Sequence, residues 1–261
     1  MENQMDTQTE IKAAFKLLVL ASMLTVGLWF IPFAGLITHP FTLFATFIHE
    51  AGHALAALAS FGSVDRIDLH WNGNGETYTA QGMRLFVSSA GYLSTMLYGA
   101  GLLLLLRRAR NARMAAFGTA GLLLVITIFF AGNTLAWLIG LAIGGGCLLL
   151  GWQGKPKLTH FLMSFLAIQC VLNAIYDLVA LVLLSSPGVG AQTDAANMER
   201  ATGGFVPAIV WALGWSLLAA GILGGTLVIY YRSLKQRAAV ADEQIPLLLP
   251  DHSANTAQPY L

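Results

Sequence analysis

Charged residues are scarce in this sequence. Asp, Glu, Lys and Arg make up 10% of its 261 residues, whereas an ordinary soluble domain carries roughly a quarter. Hydrophobic residues make up 56%. A chain of this composition has too few polar side chains to cover a surface in water. It is therefore not an ordinary soluble protein, and lipid is expected to surround most of it.

The sequence also has almost no excess of positive charge and few cysteines. Lys and Arg number 14 and Asp and Glu number 13, so the net charge is +1. Nucleic acid is excluded as a partner, because binding its phosphates requires clustered basic surface. The two cysteines, Cys147 and Cys170, lie within apolar runs. They are expected to be small buried hydrophobic residues and not a disulfide or redox site.

Long apolar runs, by contrast, fill most of the chain. A membrane-spanning helix needs about 20 mostly apolar residues, and seven stretches qualify, at about residues 15–37, 41–60, 85–106, 114–131, 133–151, 158–184 and 207–231. The first run is kept as a span because its acidic start and the lack of a cleavage site are unlike a signal peptide. The sequence predicts an all-α, multi-pass integral protein of the cell membrane, with about seven transmembrane helices in one domain over residues 1–231.

The distribution of Lys and Arg predicts an orientation. With seven spans, three basic clusters fall on one side of the membrane, at residues 107–113, 155–157 and 232–237. Basic residues favour the cytoplasmic side, so the segments 61–84 and 185–206 are expected outside. Residues 232–261 include Pro246, Pro250 and Pro259 among polar residues and are predicted to be a disordered cytoplasmic tail.

The segment from residue 63 to residue 84 has the character of two strands. Val64, Ile67 and Leu69 alternate with polar residues, Asn72-Gly73-Asn74-Gly75 supplies turn residues, and Thr77-Tyr78-Thr79 follows. This pattern predicts a small β-hairpin after the second span. An ordinary loop is the alternative, since Asn-Gly pairs also occur in loops.

The second span contains the motif His49-Glu50-Ala51-Gly52-His53. A spacing of four residues places both imidazoles on one helical face, where they can share a Zn²⁺ ion, and Glu50 lies close enough to act on a metal-bound water. Burying these ionisable groups in a span is costly, and a bound cation offsets the cost. The alternative is a polar patch that holds helices together.

A catalytic zinc ion usually has three protein ligands and an open position, so a third ligand is expected. Asp177 is an acidic residue inside an apolar run, and seven spans would place it at a depth similar to that of His53. Asn173 lies one helical turn earlier on the same face. It could orient the carboxylate, hold the substrate backbone, or only bond to another helix. Asp194, after this span, is the reserve candidate for the third ligand.

Several segments together resemble the site-2 protease superfamily, and more narrowly its B-like branch. They are the His49–His53 motif, the glycine-bearing hairpin, Ser89-Ala90-Gly91-Tyr92-Leu93, Asn173-Ala174-Ile175-Tyr176-Asp177 and Thr193-Asp194-Ala195-Ala196-Asn197-Met198. The likeness covers about residues 41–231. It implies an intramembrane zinc metalloprotease in which His49, His53 and a later aspartate, Asp177, bind zinc and Glu50 is the catalytic glutamate. The Asp177 region lacks the Leu-Asp-Gly and Asn-Pro signatures of other members, so Asp194 also stays a candidate.

The resemblance also implies a reaction. Glu50 is expected to take a proton from the zinc-activated water, which attacks a peptide carbonyl of a transmembrane protein substrate, and to return it to the leaving amine, while Asn173 steadies the chain. The hairpin edge is expected to bind the unwound substrate as an added strand. A non-proteolytic zinc-binding scaffold is the alternative. A transporter is more distant, because repeated halves are not found in the sequence.

Overall fold

The computed structural model describes residues 16–17, 19–25, 27–28, 31, 33–186 and 192–244. Its elements, in chain order, are α1 (Ala34–Ala59), β1 (Ser63–Leu69), β2 (Gly75–Ala80), α2 (Arg84–Leu105), a 3₁₀ turn (Ala109–Asn111), α3 (Ala112–Phe130), α4 (Thr134–Gln153), α5 (Pro156–Leu184), α6 (Asp194–Ala201) and α7 (Ala208–Gln244). The predicted fold class, helical with one small hairpin, is confirmed.

Six helices in the described part of the chain are long and apolar enough to cross a membrane. They are α1 to α5 and α7, and they correspond to six of the seven predicted spans. The remaining predicted span, residues 15–37, lies partly outside the described residues, and its last residues, 34–37, begin α1. The protein is therefore an integral, multi-pass membrane protein, and the count of seven is approximate.

The predicted hairpin is also present. β1 and β2 pair antiparallel, with Arg66 opposite Tyr78 and an irregularity between Val64 and Arg66. The turn closes where the His70 amide donates to the Asn74 carbonyl at 2.9 Å. Gly73 adopts φ +90° in this turn, a conformation that glycine reaches without steric cost. The Asn-Gly signal in the sequence therefore located the turn correctly.

The hairpin folds back along α1 and does not project beyond its end. Near the turn, Thr46 donates through Oγ1 to the Gly73 carbonyl at 2.7 Å. Near the end of α1, the Met83 amide donates to Ser60 Oγ at 3.1 Å. The segment expected outside the membrane thus lies beside a spanning helix. Alternation in a sequence reveals a strand but not the surface against which it packs.

The two edges of the hairpin differ. The outer edge of β1 is closed by the α3–α4 connection: the Gly132 amide donates to the Ile67 carbonyl at 2.8 Å, and the Asn133 side chain bonds both the amide and the carbonyl of Leu69. β2 has no second strand neighbour in the described part of the chain. A free edge at membrane depth is tolerated only where it is covered by protein or lines a watery cavity, and β2 does line a cavity.

Close packing of α1 on α2 positions the motif helix. A Cβ atom at Gly52 would collide with the Ser94 side chain and come within 2.9 Å of the Ala90 carbonyl oxygen. Small residues of this kind allow helix backbones to approach in a membrane, where packing replaces the hydrophobic effect. The approach brings the stretch of α2 around Gly91 directly against the histidines of α1.

The chain after α5 contributes α6 and α7. α6 is anchored by Ala195 and Met198, which are 0% and 1% exposed, and Glu199 Oε2 accepts from the Ala208 amide at the start of α7. α7 continues to Gln244, so residues 232–244 of the predicted tail belong to this helix. Its residues 232–244 include Ala, Leu, Lys and Arg, good helix formers that continue an established helix. Residues 245–261 lie outside the described residues.

Candidate metal centre

The two motif histidines meet a carboxylate from a distant part of the chain. His49 Nε2 and His53 Nε2 are 3.0 Å apart. Asp194 Oδ2 lies 3.4 Å from His49 Nε2 and 3.3 Å from His53 Nε2. Among the described residues, these three form the group whose ligand atoms could hold one metal ion.

The dimensions of this triangle suit zinc. Two atoms that each lie about 2.0–2.1 Å from a tetrahedral zinc ion are about 3.3 Å apart. The three separations of 3.0, 3.3 and 3.4 Å are close to that value. Two imidazole nitrogens and one carboxylate oxygen are also a donor set typical of catalytic zinc, with the fourth position left for water. The residues present therefore fit the metal that the motif predicts.

The surroundings of the imidazoles support the same assignment. His53 donates from Nδ1 to the Val87 carbonyl at 2.7 Å, which fixes the tautomer and leaves the lone pair of Nε2 available to a metal. Gly91 faces both rings, because a Cβ atom there would collide with both Nε2 atoms. The absence of a side chain at Gly91 thus leaves room for the two imidazoles against α2.

Asp194 is the first residue of α6, where Thr193 caps the helix by accepting from the Ala196 amide. Burial would by itself raise the pKa of the Asp194 carboxyl. The neighbouring imidazoles of His53 and His49 outweigh that effect and hold the pKa below its usual range. The electrostatics of the site thus favour the charged carboxylate, the form that binds metal.

Glu50 lies beside the triangle and is 4% exposed. Its Oε2 accepts from Thr77 Oγ1 at 2.6 Å, and the same hydroxyl lies 3.0 Å from the Glu50 carbonyl oxygen. Gly75 makes room for the side chain, because a Cβ atom there would come within 2.7 Å of Glu50 Oε1. The hairpin therefore holds the glutamate that the motif predicts as the catalytic base.

The structure separates the other site residues predicted from the sequence. Asp177 lines the same cavity as the histidines but is not part of the three-residue group. Asn173 donates from Nδ2 to the Gln169 carbonyl of its own helix at 2.9 Å and is not among the residues that line the cavity. The reserve candidate, Asp194, is the acid that the structure brings together with the two histidines.

The cavity around these groups measures about 970 Å³. β2 and its turn form one wall, and α1, α2, α5 and α6 contribute the others. Sequence reasoning missed four residues that shape it, namely Thr77, Val87, Gly91 and Tyr92. Only Gly91 and Tyr92 gave a signal, because they lie in the Ser-Ala-Gly-Tyr-Leu segment that carries part of the family resemblance.

The fold and the site define a class: a multi-pass membrane protein with a candidate His-His-Asp metal centre, in which a His-Glu-x-x-His helix provides the histidines and α6 provides the aspartate. A family model described as Peptidase M50B-like matches residues 16–226. The chain therefore belongs to the Peptidase M50B-like family, and this membership indicates a membrane protease. No curated protein and no solved structure matches the chain significantly.

Proposed function

We propose that the protein is an intramembrane zinc metalloprotease of the cell membrane that hydrolyses peptide bonds of transmembrane proteins. The observation that carries this proposal is the His49, His53 and Asp194 triangle, with Glu50 beside it in a cavity. Family membership supports the protease assignment. The dimensions of the triangle support zinc.

Each residue has a distinct role. His49, His53 and Asp194 hold the ion, and Thr77 orients Glu50. Zinc, when bound, supplies Lewis acidity that lowers the pKa of a water molecule toward about 7 and polarises the substrate carbonyl. Glu50 takes the proton of the attacking water and delivers it to the leaving amine as the peptide C–N bond breaks.

The open edge of β2 supports the proposed mode of substrate binding. Ile67 and Leu69 direct their backbone groups away from β2, toward residues 132 and 133. In an antiparallel pair, alternate residues point to opposite sides, so Tyr78 and Glu76 bond to β1 while Thr77 and Thr79 face the open edge. An unwound substrate segment can add there as a third strand.

One set of variants tests the proposal and the ligand assignment together. We would measure zinc per chain and cleavage of generic transmembrane substrates in the wild type, Glu50→Gln, Asp194→Asn and Asp177→Asn. We expect Asp194→Asn to lose zinc, and Glu50→Gln to keep zinc and lose cleavage. Asp177→Asn is expected to keep zinc, since Asp177 lies outside the triangle.

The opposite outcomes are equally informative. Zinc lost in Asp177→Asn and kept in Asp194→Asn would restore the assignment made from the sequence. A zinc-loaded wild type that cleaves nothing would favour the scaffold, because a scaffold needs the ligands but not Glu50. A wild type that never contains zinc would overturn the metalloprotease.

The strand-addition mode has its own test. Thr79→Pro removes one outward amide from the open edge without removing a bond to β1, whereas Thr79→Val keeps that amide. We expect Thr79→Pro to lower kcat/KM about 5-fold, the effect of one backbone hydrogen bond worth about 1 kcal/mol, and Thr79→Val to have little effect. Deletion of residues 72–75 should impair cleavage further. Unchanged cleavage in both the Pro variant and the deletion would exclude strand addition.

A further inference from the structure

Tyr92 occupies a position that the roles described above do not explain. It follows Gly91 on α2, and its ring meets the His49 imidazole edge to face, with centroids 4.6 Å apart at 88°. On another side it stacks on Trp215, with centroids 5.6 Å apart at 22°. Trp215 is 3% exposed, so the tyrosine ring is held between a candidate zinc ligand and a buried indole.

The side chain of Tyr92 borders the cavity. Tyr92 is one of the lining residues, as are Asp194, Asp177 and Glu50. These acids belong to three different helices, so Tyr92 and the three carboxylates border one common space. No hydrogen-bond partner for the Tyr92 hydroxyl occurs among the described residues, so a donor without an acceptor lies beside this space.

Another tyrosine of the same helix provides a contrast. The Tyr98 hydroxyl lies 2.7 Å from Thr119 Oγ1, and Thr119 in turn donates to the Ala115 carbonyl. Tyr98 is therefore used in packing α2 against α3. Tyr92 has an equally constrained ring but leaves its hydroxyl uncommitted at the candidate metal centre.

We propose that the Tyr92 hydroxyl donates a hydrogen bond to the carbonyl oxygen of the scissile peptide as that oxygen gains negative charge. The inference rests on the proposed protease function. A fixed donor aimed at developing charge stabilises the transition state far more than the substrate. Tyr92 thereby becomes a second electrophile beside the one that the metal supplies.

This hydrolysis requires no reactant other than the peptide and the water molecule. As the water oxygen bonds to the carbonyl carbon, the π electron pair of the C=O bond moves to the carbonyl oxygen. The Tyr92 hydroxyl donates its hydrogen bond to that oxygen. Tyr92 keeps its proton throughout. When the tetrahedral intermediate collapses, the C=O bond re-forms, the C–N bond breaks, and the amine leaves with the proton carried by Glu50.

The test compares Tyr92→Phe with Tyr98→Phe, two substitutions that each remove one hydroxyl from α2. In Tyr92→Phe we expect kcat to fall about 10²-fold or more, the usual cost of losing an oxyanion donor, with KM within about twofold of wild type and zinc content unchanged. Tyr98→Phe is expected to lower thermal stability while kcat stays near that of wild type.

A binding measurement provides a readout independent of turnover. A phosphinate peptide, whose tetrahedral phosphorus group mimics the intermediate, should bind Tyr92→Phe about 10²-fold more weakly than wild type. An uncleaved peptide substrate should bind Glu50→Gln and the Glu50→Gln/Tyr92→Phe double variant equally well, because the ground-state carbonyl gains little from the donor.

The outcomes separate the two proposals. Wild-type kcat in Tyr92→Phe, or equal phosphinate affinity, would overturn the role of Tyr92 and leave the protease intact. Loss of zinc in Tyr92→Phe would also overturn it, because the residue would then only shape the ligand sphere. Absence of both cleavage and phosphinate binding in zinc-loaded wild type would overturn the proposed function and this inference with it.

Discussion

Gly91 lies on α2 where a side chain would meet both motif histidines. We predict that Gly91→Ala weakens zinc binding about 10- to 100-fold, comparable to the loss of an outer partner of a metal ligand, because the methyl group displaces the imidazoles. Gly101→Ala is the matched control, since Gly101 lies on the same helix with nothing within 4 Å. Competition with a zinc-sensitive dye measures the affinity. Equal affinity in both variants would contradict the assigned site.

Thr77 is the one side chain that orients Glu50 from the hairpin. Thr77→Val removes the hydroxyl and keeps the shape of the residue. Since a hydrogen bond to a charged group contributes about 1.5–3 kcal/mol, we predict a loss of about 10-fold or more in kcat/KM at unchanged zinc content. Thr79→Val, the same substitution two residues away, should retain wild-type kinetics. Matching losses in the two variants would indicate a general effect on the hairpin instead.

At the scale of residues, the sequence shows that the two motif histidines lie together, but not which acid lies beside them. His49, Glu50 and His53 follow from helical spacing alone. Asp177 ranked first for the third ligand because an acid inside an apolar run needs a partner. That reasoning cannot detect Asp194, which lies in a polar segment and reaches the histidines only because α6 is anchored beneath it by Ala195 and Met198.

Among the elements, the hairpin depends most visibly on one side chain. Asn133 accepts from the Leu69 amide, donates to the Leu69 carbonyl at 2.7 Å and caps α4 by accepting from the Ala136 amide. We predict that Asn133→Ala lowers the free energy of unfolding by about 1–3 kcal/mol, because buried polar groups lose their partners, and speeds amide exchange in β1. Asn111→Ala removes a single bond to the Leu105 carbonyl and should leave exchange in β1 unchanged. Slow exchange in both variants would contradict this account.

The hairpin also illustrates the limit of prediction at the scale of elements. Alternating residues and the Asn-Gly turn located both strands, because these are local properties of the chain. The docking of the strands along α1 depends on contacts between residues far apart in sequence, such as Thr46 with Gly73. The helical continuation to Gln244 was missed for a different reason, since polar composition was interpreted as disorder.

At the scale of the whole molecule, the order of the helices fixes which loops share a side. The α4–α5 connection and the α6–α7 connection lie at opposite ends of α5. From the positive clusters we predict that a membrane-impermeant thiol reagent labels Gln153→Cys from the cytoplasmic side and Phe205→Cys from the outer side. Cys147 and Cys170 are 2% and 0% exposed and should not react in wild type. Labelling of both variants from the same side would contradict the arrangement of spans.

The span count was close because hydrophobic length is a property of composition. Six of the seven predicted spans are helices of sufficient length in the described part of the chain. Composition does not reveal which spans touch. The packing of α1 on α2 through Gly52 and Ser94 depends on shape complementarity, and this packing brings Gly91 and Tyr92 to the candidate metal centre.

The location of Asp194 has a consequence for the synthesis of the protein. His49 and His53 lie on α1, whereas Asp194 follows α5 and is held in place partly by α7 through Glu199 and Ala208. During translation, the first two candidate ligands enter the membrane long before the third has been made. The candidate centre can therefore assemble only after nearly the whole chain has been inserted. If the proposed function holds, an unfinished chain has no means of cleaving its neighbours.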